Sequence, residues 1–389
     1  MKRMNMQNIY RIFPLIFLLL TSCRGDEPVP APREITVSSG FYLLNEGNKG
    51  NNMATLDYFD YTNNTYYLNI YAERNPTVVK ELGDVGNDLQ IYGNRLYAVI
   101  NCSNFIEVTD LKTTKHIGMI QIPSCRYIVF HKNKAYVSSY ASIDGSDLYA
   151  RQGYVAQIDT ASLQVEKRVA VGSQPEEMVI IGDKLYVANS MCVSTGEMDH
   201  TVSVIDLNTF TEIKKIDVAV NLHRMKADRY GYIYVSSRGD YYDGKSDLYM
   251  INSRTDEVEG PLSIPVNNMC ISGDSLYILA KEFNYITGYA ESVYGIIDTR
   301  THKILTRNFI SDGTDTRIDM PYGIAVNPIS KEIFVTDAKD FITPGKVYCF
   351  SPDGKKKWEE ITGEIPSNIA FVLETQTTVS YTHLTLPTT

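Results

Sequence analysis

Residues that could bind a ligand or a metal open seven strand-like runs, and their chemistry differs from one run to the next. Aligned on the apolar residues that follow, they are Asn87, Arg126, Glu176, Arg224, Asn267, Tyr322 and Ser367 or Asn368. Arg238 and Tyr241 lie in a nearby loop, and we expect them to join this set. A packing role would favour similar residues at equivalent positions, so the variety predicts a binding site. A network of channel water and mutually bonded side chains is the competing interpretation.

Two chemistries fit this set of residues. The members that offer oxygen ligands for a divalent cation, as in propeller hydrolases of the lactonase type, are Asn87, Glu176, Asn267 and Asn368. Arg126 and Arg224 oppose that interpretation, because a guanidinium repels a nearby cation and pairs readily with a lone carboxylate. The mixture better suits a large amphipathic ligand that carries amides, hydroxyls or a phosphate. We therefore expect a ligand-binding site with no catalytic residue, no metal and no cofactor.

Known catalytic signatures are missing from the sequence. It contains no G-x-S-x-G elbow, no H-E-x-x-H helix motif and no phosphate-binding loop. The six histidines are scattered, and only His223 falls near the set described above. A formal net charge of −9 argues against a surface that neutralises phosphates, so no nucleic-acid partner is expected.

The elements that must position these residues recur as one phrase along the chain. An apolar run that ends in a polar residue occurs seven times, as in "LYAVIN" (96–101), "AYVSSY" (135–140) and "LYVANS" (185–190). Each copy is followed by a second strand such as "VSVIDL", a polar turn and a third strand. Repeats of roughly 40 to 57 residues with four short strands each are typical of β-propeller blades. The sequence therefore predicts an all-β, seven-bladed β-propeller.

The two ends of the repeat region complement each other. If strands A to D are counted outward in each blade, the first copy, "FYLLN" (41–45), has no strand A before it. A strand A without a following strand B appears at the other end, as "IPSNIAFVLE" (365–374). We therefore predict that the first blade combines N-terminal strands B, C and D with the C-terminal strand A, and that the propeller covers residues 40–374.

Loop lengths distinguish the two faces of the predicted propeller. The A–B and C–D turns are short, whereas the B–C connections, on the same face as the D–A connections, include "SYASIDGSDLYARQG" and "SRGDYYDGKSD". These long loops carry many aromatic residues, among them Tyr140, Tyr149 and Tyr241. Long individual loops on a rigid scaffold are the usual place for binding residues. We expect the ligand on this loop-rich face.

Neither terminus belongs to the predicted propeller, and the N-terminus predicts export and anchoring. Residues 1–22 have basic residues, the apolar run "IFPLIFLLL" and then "LTS", which predicts a lipoprotein signal peptide cleaved before Cys23. "LTSC" resembles the bacterial lipobox, so Cys23 is the expected lipidation site and 23–39 a flexible tether. The expected location is the outer membrane, facing the cell exterior. Residues 375–389 resemble translated adapter text and are predicted to be a disordered, non-native tail.

Two cysteines fall close together in the predicted register. Cys102 ends one strand B, and Cys125 opens the strand A of the next blade. Both lie on the loop-rich face of a protein that we expect to be exported, where a disulfide can form. A Cys102–Cys125 disulfide is therefore an expectation.

The sequence also resembles known families. Residues 171–218, with "VGSQP", "YVANS" and "VSVIDL", resemble the YVTN or YncE-like propeller repeat. "LLNEGN", "ELGDVGNDLQIYG", "SSRGDYYD" and "PYGIAVNP" together resemble the BtuG group of surface lipoproteins. That resemblance implies capture of cobalamin, or another large amphipathic small molecule, and its delivery to a TonB-dependent outer-membrane transporter. A lactonase-like hydrolase and a surface adhesion or scaffold propeller are the alternatives.

Overall fold

The described part of the chain is a ring of β-sheets. The structure is a computed structural model that describes residues 33–78, 81–192, 195–240, 245–284 and 289–378. The described residues between 36 and 374 form one compact unit. The described strands form seven four-stranded sheets, so the predicted seven-bladed propeller is confirmed.

The blades follow one another along the chain, except that the last strand joins the first blade. Blade 1 contains β1 (Arg33–Asn45), β2 (Thr55–Asp60), β3 (Thr65–Tyr67) and the final strand β28 (Pro366–Thr378). Blade 2 contains β4 (Gly86–Tyr92), β5 (Arg95–Ile100), β6 (Phe105–Asp110) and β7 (His116–Gln121). Blade 3 contains β8 (Cys125–His131), β9 (Lys134–Ser139), β10 (Tyr154–Asp159) and β11 (Val165–Ala170). Blade 4 contains β12 (Met178–Ile181), β13 (Lys184–Ala188), β14 (Thr201–Asp206) and β15 (Thr211–Asp217).

The remaining blades have the same order of strands. Blade 5 contains β16 (Leu222–Ala227), β17 (Tyr232–Ser237), β18 (Asp247–Asn252) and β19 (Val258–Glu259). Blade 6 contains β20 (Asn268–Ser272), β21 (Ser275–Asn284), β22 (Tyr289–Asp298) and β23 (Lys303–Thr306). Blade 7 contains β24 (Pro321–Val326), β25 (Ile333–Asp337), β26 (Lys346–Phe350) and β27 (Lys356–Ile361). A short helix α1 (Ile70–Arg74) and a 3₁₀ turn (Thr314–Arg317) are the only helical elements among the described residues.

Burial explains why strands B and C read as nearly continuous apolar runs. Blades stack face to face, so both faces of these strands are covered, as in β13, where "LYVA" is buried throughout. Outer strands alternate instead, as in β15, where exposed residues alternate with half-buried or buried ones. The described apolar core consists of seven clusters, each shared by two neighbouring blades.

The ring closes through an aromatic cluster between blades 7 and 1. Phe41 of β1 lies edge-on to Phe334 of β25, with ring centres 5.0 Å apart. Trp358 of β27 stacks on Phe59 of β2 at 4.9 Å. Together with the pairing of β28 beside β1, this cluster confirms the predicted closure of the first blade by both ends of the chain.

The strand bounds differ from the predicted domain limits at both ends. β1 begins at Arg33, inside the predicted tether, and β28 continues to Thr378, so residues 375–378 of the predicted tail are strand. β-branched residues in "ITVSSG" and "TQTT" suit this extended conformation. The predicted signal peptide, Cys23 and residues 379–389 lie outside the described residues. No helix in the described ranges is long and apolar enough to cross a bilayer.

Candidate functional site

The inner strands A surround a central channel, and two sets of residues line its mouth on the loop-rich face. The first set opens the strands A, as predicted. The second set directly follows the strands B, where each backbone N–H donates to a carbonyl of the preceding D–A loop. These bonds join Glu46 to Ile365 at 2.9 Å, Tyr140 to Ser124 at 3.2 Å, Ser190 to Ser173 at 2.8 Å and Arg238 to Asn221 at 3.0 Å. Tyr140 and Arg238 of this second set were expected on the binding face from the sequence, whereas Glu46 was not.

A charged network centred on Glu176 joins the two sets. Glu176 is fully buried, and its Oε2 accepts from Arg126 Nε at 3.1 Å and Nη2 at 2.9 Å. Its Oε1 accepts from Arg238 Nη1 at 3.1 Å and from the Tyr140 hydroxyl at 2.5 Å. The Tyr140 ring also lies 4.8 Å from the Arg126 guanidinium carbon. The structure thus brings together three of the predicted site residues, Arg126, Glu176 and Arg238.

The electrostatics of this network keep all three groups ionised. Burial raises the pKa of Glu176, but Arg126 and Arg238 outweigh it and hold the pKa below its usual value. Burial likewise lowers the pKa of Arg126, and the Glu176 carboxylate raises it well above the usual value. Two guanidinium groups share one carboxylate, so the network carries one net positive charge.

A second contact closes the opposite side of the mouth. The Tyr322 hydroxyl donates to Glu46 Oε2 at 2.9 Å. Burial raises the pKa of Glu46 to about 7, against the lowering effects of the Tyr322 hydrogen bond and of Arg224. Glu46 is therefore a carboxyl group that titrates near neutral pH, in contrast to Glu176.

Arg224 lies one position deeper than the prediction placed it. Its backbone N–H donates to the Ser236 hydroxyl at 3.0 Å, just as the N–H of Tyr127 donates to Ser138 at 3.1 Å and that of Gly323 to Thr336 at 2.7 Å. The mouth position of blade 5 therefore belongs to the preceding residue, His223.

His223 is a neutral member of the mouth. Its Nε2 lies 3.1 Å from the Tyr127 hydroxyl. Burial first, and then Arg238 and Arg224, lower the pKa of His223 well below its usual value. An uncharged imidazole at this point can accept or donate a hydrogen bond without adding charge.

The predicted amide residues hold neighbouring blades together. Asn368 Nδ2 donates to the Asn87 carbonyl at 3.0 Å, and Asn87 Nδ2 in turn donates to the Arg126 carbonyl. In blade 6 the equivalent bond comes from Asn268, whose Nδ2 donates to the Tyr322 carbonyl at 3.0 Å. Asn267, the predicted residue of this blade, is exposed, and its Oδ1 accepts the Lys281 N–H at 2.7 Å. It makes no such bond to the next blade, and its role in binding stays a prediction.

Glu176 is not available as a cation ligand in this arrangement. Its carboxylate accepts from two guanidinium groups, and the Nδ2 groups of Asn87 and Asn368 donate to carbonyls of neighbouring blades. Within the described ranges, no three His, Cys, Asp or Glu side chains are grouped so that they could hold a metal ion. A dication would have to displace both arginines to reach Glu176.

The remaining predicted site residues are Tyr241 and the cysteines Cys102 and Cys125. Tyr241 lies outside the described residues, so its role stays a prediction. The predicted Cys102–Cys125 disulfide is wrong, because both thiols are free. Cys125 Sγ turns into the core between blades 2 and 3, 3.4 Å from the Phe105 carbonyl, and burial raises the pKa of its thiol to about 12.

Below the mouth, the channel contains a cavity of about 380 Å³. Its lining begins at Asn268 and Asn368 near the mouth and ends at Pro328 in an A–B turn, so the cavity occupies the turn-side half of the channel. The charged residues in its wall are Asp88, Glu177, Arg224 and Lys226. Of these four residues, only Arg224 was predicted from the sequence.

Comparison with known proteins identifies the fold. No curated protein matches the sequence. A hydrazine synthase from Kuenenia stuttgartiensis is 15% identical, with a TM-score of 0.55 over 69% of this chain and 77% of that chain. A quinonprotein alcohol dehydrogenase-like protein from Bacteroides thetaiotaomicron is 18% identical, with a TM-score of 0.55 over 87% and 79%. Apo AztD from Citrobacter koseri is 13% identical, with a TM-score of 0.50 over 89% and 100%.

Such low identities establish a likeness of fold alone. The family assignment comes instead from the sequence, which matches one family along most of the propeller. The chain belongs to the family described as a domain of unknown function, DUF5074, which it matches over residues 39–361.

Proposed function

We propose that this protein is a lipid-anchored propeller of the outer cell surface that captures a large amphipathic ligand and does not transform it. The observation that carries the proposal is the Arg126–Glu176–Arg238 network at the channel mouth. Its guanidinium groups are partly open, with side-chain exposures of 15% for Arg126 and 29% for Arg238. A fixed, net positive donor set beneath long loops suits ligand oxygens such as amide carbonyls or a phosphate.

The architecture of the mouth supports binding rather than mere packing. Glu176 orients both arginines, so little side-chain entropy is lost when a ligand accepts hydrogen bonds from them. Tyr140 and Tyr322 are half-buried and hydrogen-bonded to the carboxylates of the mouth. Aromatic and charged groups in this combination match a ligand with both apolar and polar parts.

Cobalamin is the specific ligand that we propose, with delivery to a TonB-dependent outer-membrane transporter. The support for this choice is the resemblance of "LLNEGN", "ELGDVGNDLQIYG" and "PYGIAVNP" to the BtuG group. Cobalamin carries amides and a phosphate on an extended apolar ring system, which agrees with the chemistry of the mouth.

The experiment is a calorimetric titration with cyanocobalamin. We compare the unmodified chain with Arg238→Ala and Tyr322→Phe, which alter the mouth, and with Arg300→Ala as a control. Arg300 is 57% exposed, pairs with Asp298 at 2.9 Å and lies in a C–D turn on the opposite face. Loss of a hydrogen bond from a charged donor should weaken binding by roughly tenfold or more in Arg238→Ala.

Each result has a definite meaning. Binding that weakens in Arg238→Ala and is unchanged in Arg300→Ala supports cobalamin capture at the mouth. Binding that is equal in all variants places the ligand elsewhere and overturns the assigned site. Absence of heat exchange with the unmodified chain overturns cobalamin as the ligand.

Anchoring is tested separately. Cells expressing the chain are labelled with radioactive palmitate, and intact cells are then treated with protease. We expect the unmodified chain to incorporate the label and Cys23→Ala to lack it. We also expect protease to digest the protein on intact cells. Unlabelled protein, or protein protected in intact cells, would contradict a lipid anchor facing the exterior.

A further inference from the structure

The deep half of the channel contains a buried positive charge without a partner. Arg224 is only 7% exposed, and its Nε is buried with no hydrogen-bond acceptor. None of its side-chain nitrogens is hydrogen-bonded or ion-paired to any residue in the described part of the chain. The other two arginines of the site, Arg126 and Arg238, both contact Glu176. Arg224 therefore stands apart from the network at the mouth.

The surroundings of Arg224 do not compensate its charge by direct contact. Its guanidinium carbon lies 5.3 Å from the centre of the Tyr127 ring, a cation–π contact that leaves the N–H groups unsatisfied. The carboxylates whose charges act on it are engaged elsewhere. Glu46 accepts the Tyr322 hydroxyl, and Glu177 accepts the Met225 N–H at 2.8 Å.

The same guanidinium forms part of the wall of the 380 Å³ cavity. Lys226 lies in the same wall and pairs with Glu177, with 30% of its side chain exposed. Asp88, the other carboxylate of the wall, accepts the Ile128 N–H at 3.0 Å, and burial raises its pKa to about 6. The cavity thus combines one unsatisfied guanidinium, one ion pair and one carboxyl that is already hydrogen-bonded.

We propose that this cavity binds a small oxyanion, a phosphate or carboxylate group, through Arg224. A buried charge without a counter-charge lowers the stability of the fold. An anion whose oxygens accept hydrogen bonds from the planar guanidinium of Arg224 would offset this loss. Lys226 adds a second positive group within the same cavity. The volume is sufficient for a phosphate or a small polycarboxylate, but not for a cobalamin-sized molecule.

This inference does not depend on the proposed function. The oxyanion lies in the turn-side half of the channel, and its binding requires no ligand at the mouth. A change at Arg238 should therefore leave oxyanion binding intact, so the two proposals fail separately.

The test is thermal unfolding of the chain in inorganic phosphate, compared with sodium chloride of equal ionic strength. Citrate is a second probe, which separates preference for phosphate from preference for carboxylates. Variants are Arg224→Met, Arg224→Lys and, as a control, Arg151→Met. A general effect of phosphate on solvation would appear equally in every variant, so the difference between variants is the measured quantity.

In the unmodified chain and in Arg151→Met, phosphate at ten times its dissociation constant should raise the melting temperature by roughly 2 °C. Arg224→Met should lose this response, and without phosphate it should melt no lower than the unmodified chain, since it removes an unpaired buried charge. Arg224→Lys should keep the fold but bind phosphate several-fold more weakly, because lysine lacks the planar fork.

Two results would overturn the inference. One is an equal response to phosphate and citrate in Arg224→Met and in the unmodified chain. The other is destabilisation of Arg224→Met in chloride together with no response of the unmodified chain to either anion, which would assign Arg224 a structural role.

Discussion

Replacing Glu176 by glutamine removes the one charge that holds two guanidinium groups in place at the channel mouth. Glutamine has nearly the same shape, so packing is preserved and the change is electrostatic. The variant leaves Arg126 and Arg238 without a counter-charge, with side chains only 15% and 29% exposed. We expect a loss of about 3 kcal/mol in the free energy of unfolding, as for one partner removed from a buried ion pair.

A double-mutant cycle separates the Glu176–Arg126 interaction from other effects of each substitution. The cycle consists of Glu176→Gln, Arg126→Met and the double variant. Because Arg238 and Tyr140 continue to contact residue 176 in every variant, the expected coupling is about 2 kcal/mol, smaller than the full cost of an unpaired buried charge.

The control is an ion pair of almost the same length in a different environment. Arg151 and Glu197 are 2.8 Å apart, against 2.9 Å for Arg126 and Glu176, but their side chains are 73% and 54% exposed. The corresponding cycle, Arg151→Met with Glu197→Gln, should give a coupling of about 0.5 kcal/mol or less. Equilibrium unfolding in urea, which does not screen charges, provides the free energies.

The comparison tests whether burial, and not distance, gives the mouth network its strength. Equal coupling energies in the two cycles would refute this reasoning. So would a Glu176→Gln variant as stable as the unmodified chain, because the two arginines would then need no counter-charge.

Three further predictions follow from single residues. Because the pKa of Glu46 is raised to about 7, the folded state binds an extra proton that the unfolded state releases. The free energy of unfolding should therefore fall by up to about 3 kcal/mol as pH rises from about 5 to 8. In Glu46→Gln this dependence of the free energy of unfolding on pH should be shallower, and an unchanged dependence would contradict the assignment. Cys125→Ala should lower the number of thiols titrated in denaturant by one, whereas a disulfide-bonded Cys125 would raise it by freeing its partner. Gly323→Ala places a methyl group against the Ser367 carbonyl and should lower the free energy of unfolding in urea by more than about 2 kcal/mol. Gly118→Ala is the control, because its methyl group meets only the end of a leucine side chain. Similar losses of stability in the two variants would show that strands A can move apart.

The fold was predictable because the recurring polar residue at the end of strand B has a structural function. The Ser139 hydroxyl donates to the Pro123 carbonyl at 2.6 Å, and the Ser237 hydroxyl donates to the Val220 carbonyl at 2.6 Å. In blade 7, Asp337 accepts the Met320 N–H at 2.8 Å. Each contact fixes the loop that leads into strand A, so a polar residue recurs at the end of strand B in these blades. Such a shared constraint leaves a regular pattern in the sequence.

The channel residues were only partly predictable, because a local irregularity displaces the register. Strands β8, β16 and β24 each contain a register shift near their start, and β20 pairs with β21 without one. A bulge adds one residue to a strand, so counting back from the apolar run gives different positions in blades with and without it. That is why Asn267 was chosen in place of Asn268.

The same irregularity explains where chemical variety is concentrated. A bulged residue is left out of the regular pairing of the strand, so neither the ladder nor the two-residue alternation restricts its side chain. Arg126 lies within such a shift, between Cys125 and Ile128, and so do His223 and Tyr322 in their own strands. Their side chains are thus free to differ between blades while the sheets stay alike. Such a propeller can therefore vary the side chains of its channel without altering the pattern that specifies its fold.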